Sequence, residues 1–156
     1  MDVHWKLNKA GPQVLLCLVL LAASVAPYAR AAGSFQANVK VVNETATPLV
    51  LSAANWVLGG VGVDNYAIPG HRTGDISLMF ASKKRGALSF TYTAGDKSCT
   101  FKAGHDIRTS FGWFRPAEEP YQWTNAQSDG ASKAICKAQL VSHDPDKSYS
   151  VRVSIE

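Results

Sequence analysis

Helical periodicity, metal-ligand spacing and paired catalytic residues are all missing from this sequence. No long stretch repeats apolar residues at three and four, which argues against an α-helical or α/β architecture. No HxH, HExxH or CxxC pair occurs, so the common zinc signatures are absent. No internal repeat or low-complexity tract occurs either, which excludes a solenoid. Charge is sparse and mixed: 16 basic and 12 acidic residues give +4 over 156 residues. That is far from the dense basic face that nucleic acid requires. Only three cysteines are present, at 17, 99 and 136.

The chain begins as an export signal would. Lys6 and Lys9 precede an apolar run at residues 14–26, too short for a membrane span and right for a signal h-region. Ala29-Arg30-Ala31 offers small residues at the positions a signal peptidase reads. Cleavage is expected after Ala31, leaving one domain over residues 32–156. Removing residues 1–31 leaves 13 basic and 11 acidic residues, a net charge of +2. Cys17 leaves with the leader. Cys99 and Cys136 remain as an even pair in an exported chain, and one disulfide is expected, contributing about 3–4 kcal/mol.

The remaining sequence alternates with period two, the pattern of half-buried strands. Phe35, Ala37, Val39 and Val41 form one apolar row, and Leu49-Val50-Leu51 is a short second strand. The turn at Asn43-Glu44-Thr45 predicts a hairpin between them and carries an N-x-T glycosylation pattern. Residues 76–101 read as a central hairpin: Ile76, Leu78 and Phe80, a basic turn at Lys83-Lys84-Arg85-Gly86, then Leu88, Phe90 and Tyr92. A further turn, Ala94-Gly95-Asp96-Lys97, leads to Cys99 and Phe101. Ile107, Thr109, Phe111 and Trp113 make another row, and so do Ala134, Cys136, Ala138 and Leu140, where a short helix from Ser132 is the competing reading. Tyr149, Val151, Val153 and Ile155 close the chain. Both Cys99 and Cys136 fall on apolar rows and are expected to point inward. Seven or eight short strands at this spacing predict an all-β protein, either a barrel or a single antiparallel β-sandwich.

Chemistry is scarce along this scaffold. His71, His105 and His143 fall in three separate predicted turns, which supports no metal site. His105-Asp106 near Ser110 could be hydrolase parts, but neighbouring strand residues point to opposite faces, which is poor relay geometry. Gly59-Gly60-Val61-Gly62 lacks the strand–helix context of a phosphate loop and reads as a flexible bend. Glu118-Glu119 in a Pro-rich segment reads as solvated. No enzymatic activity and no cofactor are expected.

One stretch carries more aromatic residues than a connection needs. Trp113, Phe114, Arg115, Pro116, Tyr121 and Trp123 fall in residues 113–123, where Pro116 and Pro120 predict a loop. Tyr and Trp pair an apolar body with a polar tip, which suits sugars, protein hot spots and lipid headgroups. Two readings stay open: a binding surface, or Trp113 and Phe114 as core-facing strand residues with only the rest exposed. Trp56, beside the glycine cluster, is a second candidate.

Several of these residues resemble those of a known group. Asn43-Glu44-Thr45 after a Val-rich strand, Asp64 through Ile68-Pro69, Gly74, Leu78, Phe80, Lys84-Arg85-Gly86 before a Phe-x-Tyr strand, and Phe114-Arg115-Pro116 leading to Tyr121 and Trp123 are similar to actinoporin-like cytolysins. Ile68-Pro69-Gly70 and the Trp113–Pro116 spacing resemble the related aegerolysins. The resemblance implies a β-sandwich that binds membrane lipid, some members taking part in pore formation. Actinoporins insert an amphipathic N-terminal segment. Here only residues 32–34 precede the first strand after the expected cleavage, so lipid binding carries over better than pore formation. The sequence thus predicts a secreted, non-catalytic protein whose partner is a membrane lipid or cell-surface ligand. The alternative is a periplasmic or extracellular module for a protein or glycan, of inhibitor or adhesin type.

Overall fold

The computed structural model describes residues 35–56, 58, 62–111, 113, 115–142 and 148–156. The expected leader, most of the glycine cluster, Phe114 and His143 lie outside them. Among the described residues, eight strands form two sheets of four. They are β1 (Phe35–Asn43), β2 (Val50–Ala54), β3 (Thr73–Phe80), β4 (Gly86–Ala94), β5 (Lys97–Phe111), β6 (Pro116–Ser128), β7 (Cys136–Leu140) and β8 (Tyr149–Ile155). The first sheet has the order β3-β1-β8-β7 and the second β2-β4-β5-β6. The expected β-sandwich and its strand count are both present.

Each sheet hides one alternating row against the other. Val39, Val41, Val151, Val153 and Tyr149 of the first sheet meet Leu51, Phe90, Tyr92, Cys99 and Phe101 of the second in one buried cluster. Phe90 is its aromatic centre, with rings of Phe101 and Tyr92 at 5.4 and 5.9 Å. Cys99 in β5 and Cys136 in β7 form the expected disulfide, Cα atoms 5.8 Å apart, so the bond ties one sheet to the other. Its 37-residue separation corresponds to about 4 kcal/mol of lost unfolded-state freedom.

The pairing partners differ from those the alternation predicts. Residues 76–101 are not one hairpin: β3 pairs with β1, and β4 pairs with β2 and β5 in the opposite sheet. The rows of Ile76 and Phe90 both face the core, and alternation looks the same whether rows lie side by side or face to face. The β4–β5 turn is a true hairpin, where Gly95 takes φ 63°, a left-handed value that glycine adopts without strain. The predicted β1–β2 hairpin is also absent, because β1 and β2 belong to different sheets. One pairing is parallel, β1 with β8, where an all-antiparallel sandwich was expected.

Asn43 makes that change of sheet possible. It is 1% exposed. Its Nδ2 donates to the carbonyls of Thr47, Ile68 and Pro69, and its Oδ1 accepts from the Thr45 N–H and hydroxyl. The N-x-T asparagine is therefore consumed as a buried hub, and its folded position leaves no room for a glycan.

β5 and β6 also run through segments that read as breaks in the sequence. Gly104-His105-Asp106 is not a turn but the middle of β5, which runs 15 residues from Lys97 to Phe111. The Pro-rich segment 116–123 is not a loop but the start of β6, in unbroken register with β5 from Cys99↔Ser128 to Phe111↔Pro116. Proline is tolerated there because β6 is an edge strand. Pro116 and Pro120 lie four apart, so both ring nitrogens fall on the edge that faces away from β5.

Buried phenols make stability depend on alkaline pH. Burial, with Tyr66 alongside, pushes the Tyr92 phenol up to about 12 from its ordinary value of 10.0, and its hydroxyl donates to the Tyr66 carbonyl at 2.9 Å. Burial pushes the Tyr149 phenol up as well. Both groups hold their protons more tightly folded than unfolded, so stability is full below about pH 10 and falls as pH rises through about 12. Urea midpoints measured at rising pH should show that fall, and Tyr92→Phe should shrink it. A midpoint independent of pH across this window would contradict the burial of these phenols. Replacing both Cys99 and Cys136 by Ala should lower stability by about 3–5 kcal/mol, read from the same urea curves.

Candidate functional site

The two sheets differ in length, and the site follows from that difference. β1 begins at Phe35, whose ring packs 4.3 Å from that of His105. Beyond His105, β5 pairs only with β6, and the β3–β4 connection reaches the hairpin through Lys84 and Arg85. The five pairs from Ile107↔Pro120 to Phe111↔Pro116 form an arm of about 17 Å. Arg108, Thr109 and Phe111 on one strand, and residues 116–120 on the other, are exposed. Ile107, Thr109 and Phe111 with Pro116, Glu118 and Pro120 continue the row that faces the core lower down. Arg108, Ser110, Ala117 and Glu119 make the polar side.

The root of the arm is packed and braced. His105 is 3% exposed, within an aromatic cluster of Phe35, Phe80 and Tyr149. Its Nε2–H donates to the Ser82 carbonyl at 3.0 Å, which fixes the β3–β4 connection against the arm. The same connection supplies Arg85 to Asp106 at 3.0 Å and Lys84 to Glu118 at 3.6 Å. The Ile107 N–H and then Arg85 hold the Asp106 carboxyl below the usual carboxylate range. His105 points into the core, Asp106 bonds Arg85 on the outer face, and the Ser110 hydroxyl donates to Glu119. The three do not converge as a hydrolytic relay would need. Among the described residues, no cluster of His, Cys, Asp and Glu could hold a metal ion.

The candidate aromatic residues separate into two groups. Trp113 at the tip is 98% exposed and Phe111 is 87% exposed. Arg115 and Pro116 beside them are exposed too. The reading of Trp113 as a core-facing strand residue is thereby overturned: its row is apolar, but no sheet lies opposite it. Tyr121 and Trp123 are half-buried on the outer face of the second sheet. Arg108 lays its guanidinium 3.9 Å from the centre of the Tyr121 ring. Trp123 covers Gly104, its register partner, where an added Cβ would come within 2.7 Å of the indole and of the Gly86 carbonyl. Trp56 packs edge-on against Phe90 with ring centres 5.6 Å apart, so the fold does not gather it with the arm. Phe111 was missed as a site residue. Its place in an alternating row, two residues before Trp113, reads as core in sequence.

These placements separate the tryptophans by stability. We expect Trp113→Ala to change unfolding free energy by less than about 0.5 kcal/mol. Trp123→Ala should cost about 1–3 kcal/mol for its half-buried ring, and Gly104→Ala a similar amount through overpacking. Chemical denaturation of the three variants checks the order. Equal losses for Trp113 and Trp123 would contradict an exposed tip.

No family model matches the chain, and no curated protein matches it.

Proposed function

We propose that the protein is an exported, non-catalytic β-sandwich that attaches to lipid membranes through the tip of the β5–β6 arm. The observation that carries this reading is the pair of exposed aromatic side chains, Phe111 and Trp113, at the end of a projecting arm. Met79, Ile135 and Val141 are exposed singly elsewhere, as surface apolar residues often are. Two large rings at one tip are a different case. Tryptophan settles at headgroup depth because its ring is apolar and its N–H is polar. Each ring removes about 150–250 Å² from water if fully buried, which contributes about 4–6 kcal/mol at 25 cal/mol per Å². Partial insertion of two rings gives reversible attachment rather than permanent anchoring. Among the described residues, no helix is long and apolar enough to cross a membrane.

Charge around the arm favours anionic headgroups. Arg115 stands next to the aromatic tip, and Lys83, Lys84 and Arg85 occupy the turn at the arm's root. Arg85 and Lys84 are partly neutralised by Asp106 and Glu118. Arg115 has no ion pair among the described residues, so its guanidinium can take phosphate oxygens in a bidentate contact. The two edge prolines favour side chains over strand addition as the means of attachment. They remove donors from the free edge and block pairing with another chain. The disulfide is consistent with an oxidising compartment.

Vesicle co-sedimentation tests the proposal. Phe111→Ala and Trp113→Ala should each weaken binding about tenfold or more, since about 1.4 kcal/mol suffices for that factor. Their thermal midpoints should stay within about 2 °C of the parent. Arg115→Ala should matter most on anionic vesicles, and its effect should shrink as salt shortens the Debye length toward about 3 Å at 1 M. Vesicle binding unchanged in both Phe111→Ala and Trp113→Ala would end the proposal. Binding that needs no bilayer and is competed by a soluble sugar would favour a glycan partner instead.

A further inference from the structure

A second feature lies away from the arm, on the outer face of the first sheet. There β3, β1 and β8 form a depression of about 580 Å³, a size suited to a small ligand. Its lining surface is mostly apolar, with Val39, Ile76, Val141 and Val151 contributing, and the polar residues Asp75, Ser77, Asn38, Lys40, Ser150 and Arg152 stand around it. Register brings these residues together. Asp75 pairs with Lys40, and Lys40 with Arg152, making one row across three strands. Ser77 pairs with Asn38, and Asn38 with Ser150, making the next. The parallel β1–β8 ladder is what sets Lys40 and Arg152 directly abreast.

Like charges abreast on one face repel, and Asp75, on the far side of Lys40, is the one carboxylate in the row to set against the two cations. Neither cation has an ion-pair partner among the described residues, where the pairs are Lys84–Glu118, Arg85–Asp106 and Lys137–Glu156. Asp75, a register neighbour of Lys40, is also outside those pairs. Asn38 is held in place from its acceptor side: its Oδ1 accepts from Gln36 Nε2 at 2.8 Å and from the Ser77 hydroxyl at 2.9 Å. Its Nδ2 hydrogens are left for a ligand.

The depression therefore offers two adjacent cations for one anionic group, amide and hydroxyl donors beside them, and one carboxylate acceptor. A bare inorganic anion would satisfy the cations and be repelled by Asp75. A neutral sugar would satisfy Asp75 and the hydroxyls and leave the cations unpaired. We infer that this face binds a saccharide unit bearing a carboxylate, with Lys40 and Arg152 on the carboxylate and Asp75, Asn38 and Ser150 on ring hydroxyls. The site is independent of the arm and would add glycan recognition to membrane attachment on a cell surface.

The test is a titration of the disulfide-intact protein followed by ¹⁵N–¹H spectra, with glucuronate, glucose and sulfate as separate probes. Glucuronate should shift the backbone amides of Asn38, Lys40, Ser77, Ser150 and Arg152 saturably. Glucose and sulfate should bind at least about tenfold more weakly, since each forfeits one set of charge-assisted or neutral hydrogen bonds. Lys40→Gln and Arg152→Gln should each weaken glucuronate about tenfold without changing the thermal midpoint, because both side chains are exposed. Trp113→Ala should leave glucuronate binding unchanged. No saturable shift at these amides with glucuronate would overturn the inference. So would a response to sulfate equal to that to glucuronate.

Discussion

Burial of two apolar sheet faces against each other is the constraint on which the rest of the molecule depends. Each strand supplies one row to the common core, and a row is protected only as far as the opposite sheet reaches. β1, β3 and β8 are seven to nine residues long, whereas β5 has 15 and β6 has 13. The surplus cannot be covered. At His105 the core ends in an aromatic cluster, and the next apolar residues, Ile107 and Phe111, continue the same row into solvent. A two-stranded ribbon is marginal by itself in water, so its persistence draws on the sandwich that roots it. The exposed tip is thus a consequence of sheet lengths as much as of composition.

Rigidity and exposure are divided along that hairpin. At its open end, Cys99 is bonded to Cys136, and Phe101 and Ala103 of the same row are buried. In the middle, His105, Arg85 and Asp106 fasten it to the β3–β4 connection. Past Asp106 the backbone ladder is open to water with few buried contacts, which places the arm at the low-stability end of the fold. An exposed tip on a fixed base suits contact with an extended surface. Asn43 plays the corresponding part at the other end of the sandwich. It satisfies backbone carbonyls where the chain leaves one sheet for the other, so that end stays closed.

How far the sequence discloses this structure depends on range. Alternation is local, so the strand rows of Val39, Phe90, Phe101 and Val153 were legible, and so was the inward aim of Cys99 and Cys136. Which rows lie side by side is a long-range fact, and for β3 with β4 and β1 with β2 the alternation gave the wrong partners. The turn residues in Gly104-His105-Asp106 resemble a break, yet Gly104 is small because Trp123 lies over it. Pro116 and Pro120 signal a loop unless the strand is known to be an edge. The exposure of Trp113 was illegible for the same reason: an apolar row announces a core, and only the length of the opposite sheet decides whether one is there. The anionic-ligand face was hidden too, since Lys40 and Arg152 lie 112 positions apart and meet only through the parallel pairing of β1 with β8.

The central claim is that the arm's tip enters a membrane interface, and the emission of Trp113 reports on it most directly. In the protein spanning residues 32–156, a variant with Trp56 and Trp123 replaced by Phe leaves Trp113 as the emitter. On mixing with anionic phospholipid vesicles, its emission should move to shorter wavelength. It should also be quenched more by lipids brominated near the headgroup than by lipids brominated at the chain ends. Emission that keeps its aqueous wavelength and escapes every brominated lipid would contradict the claim.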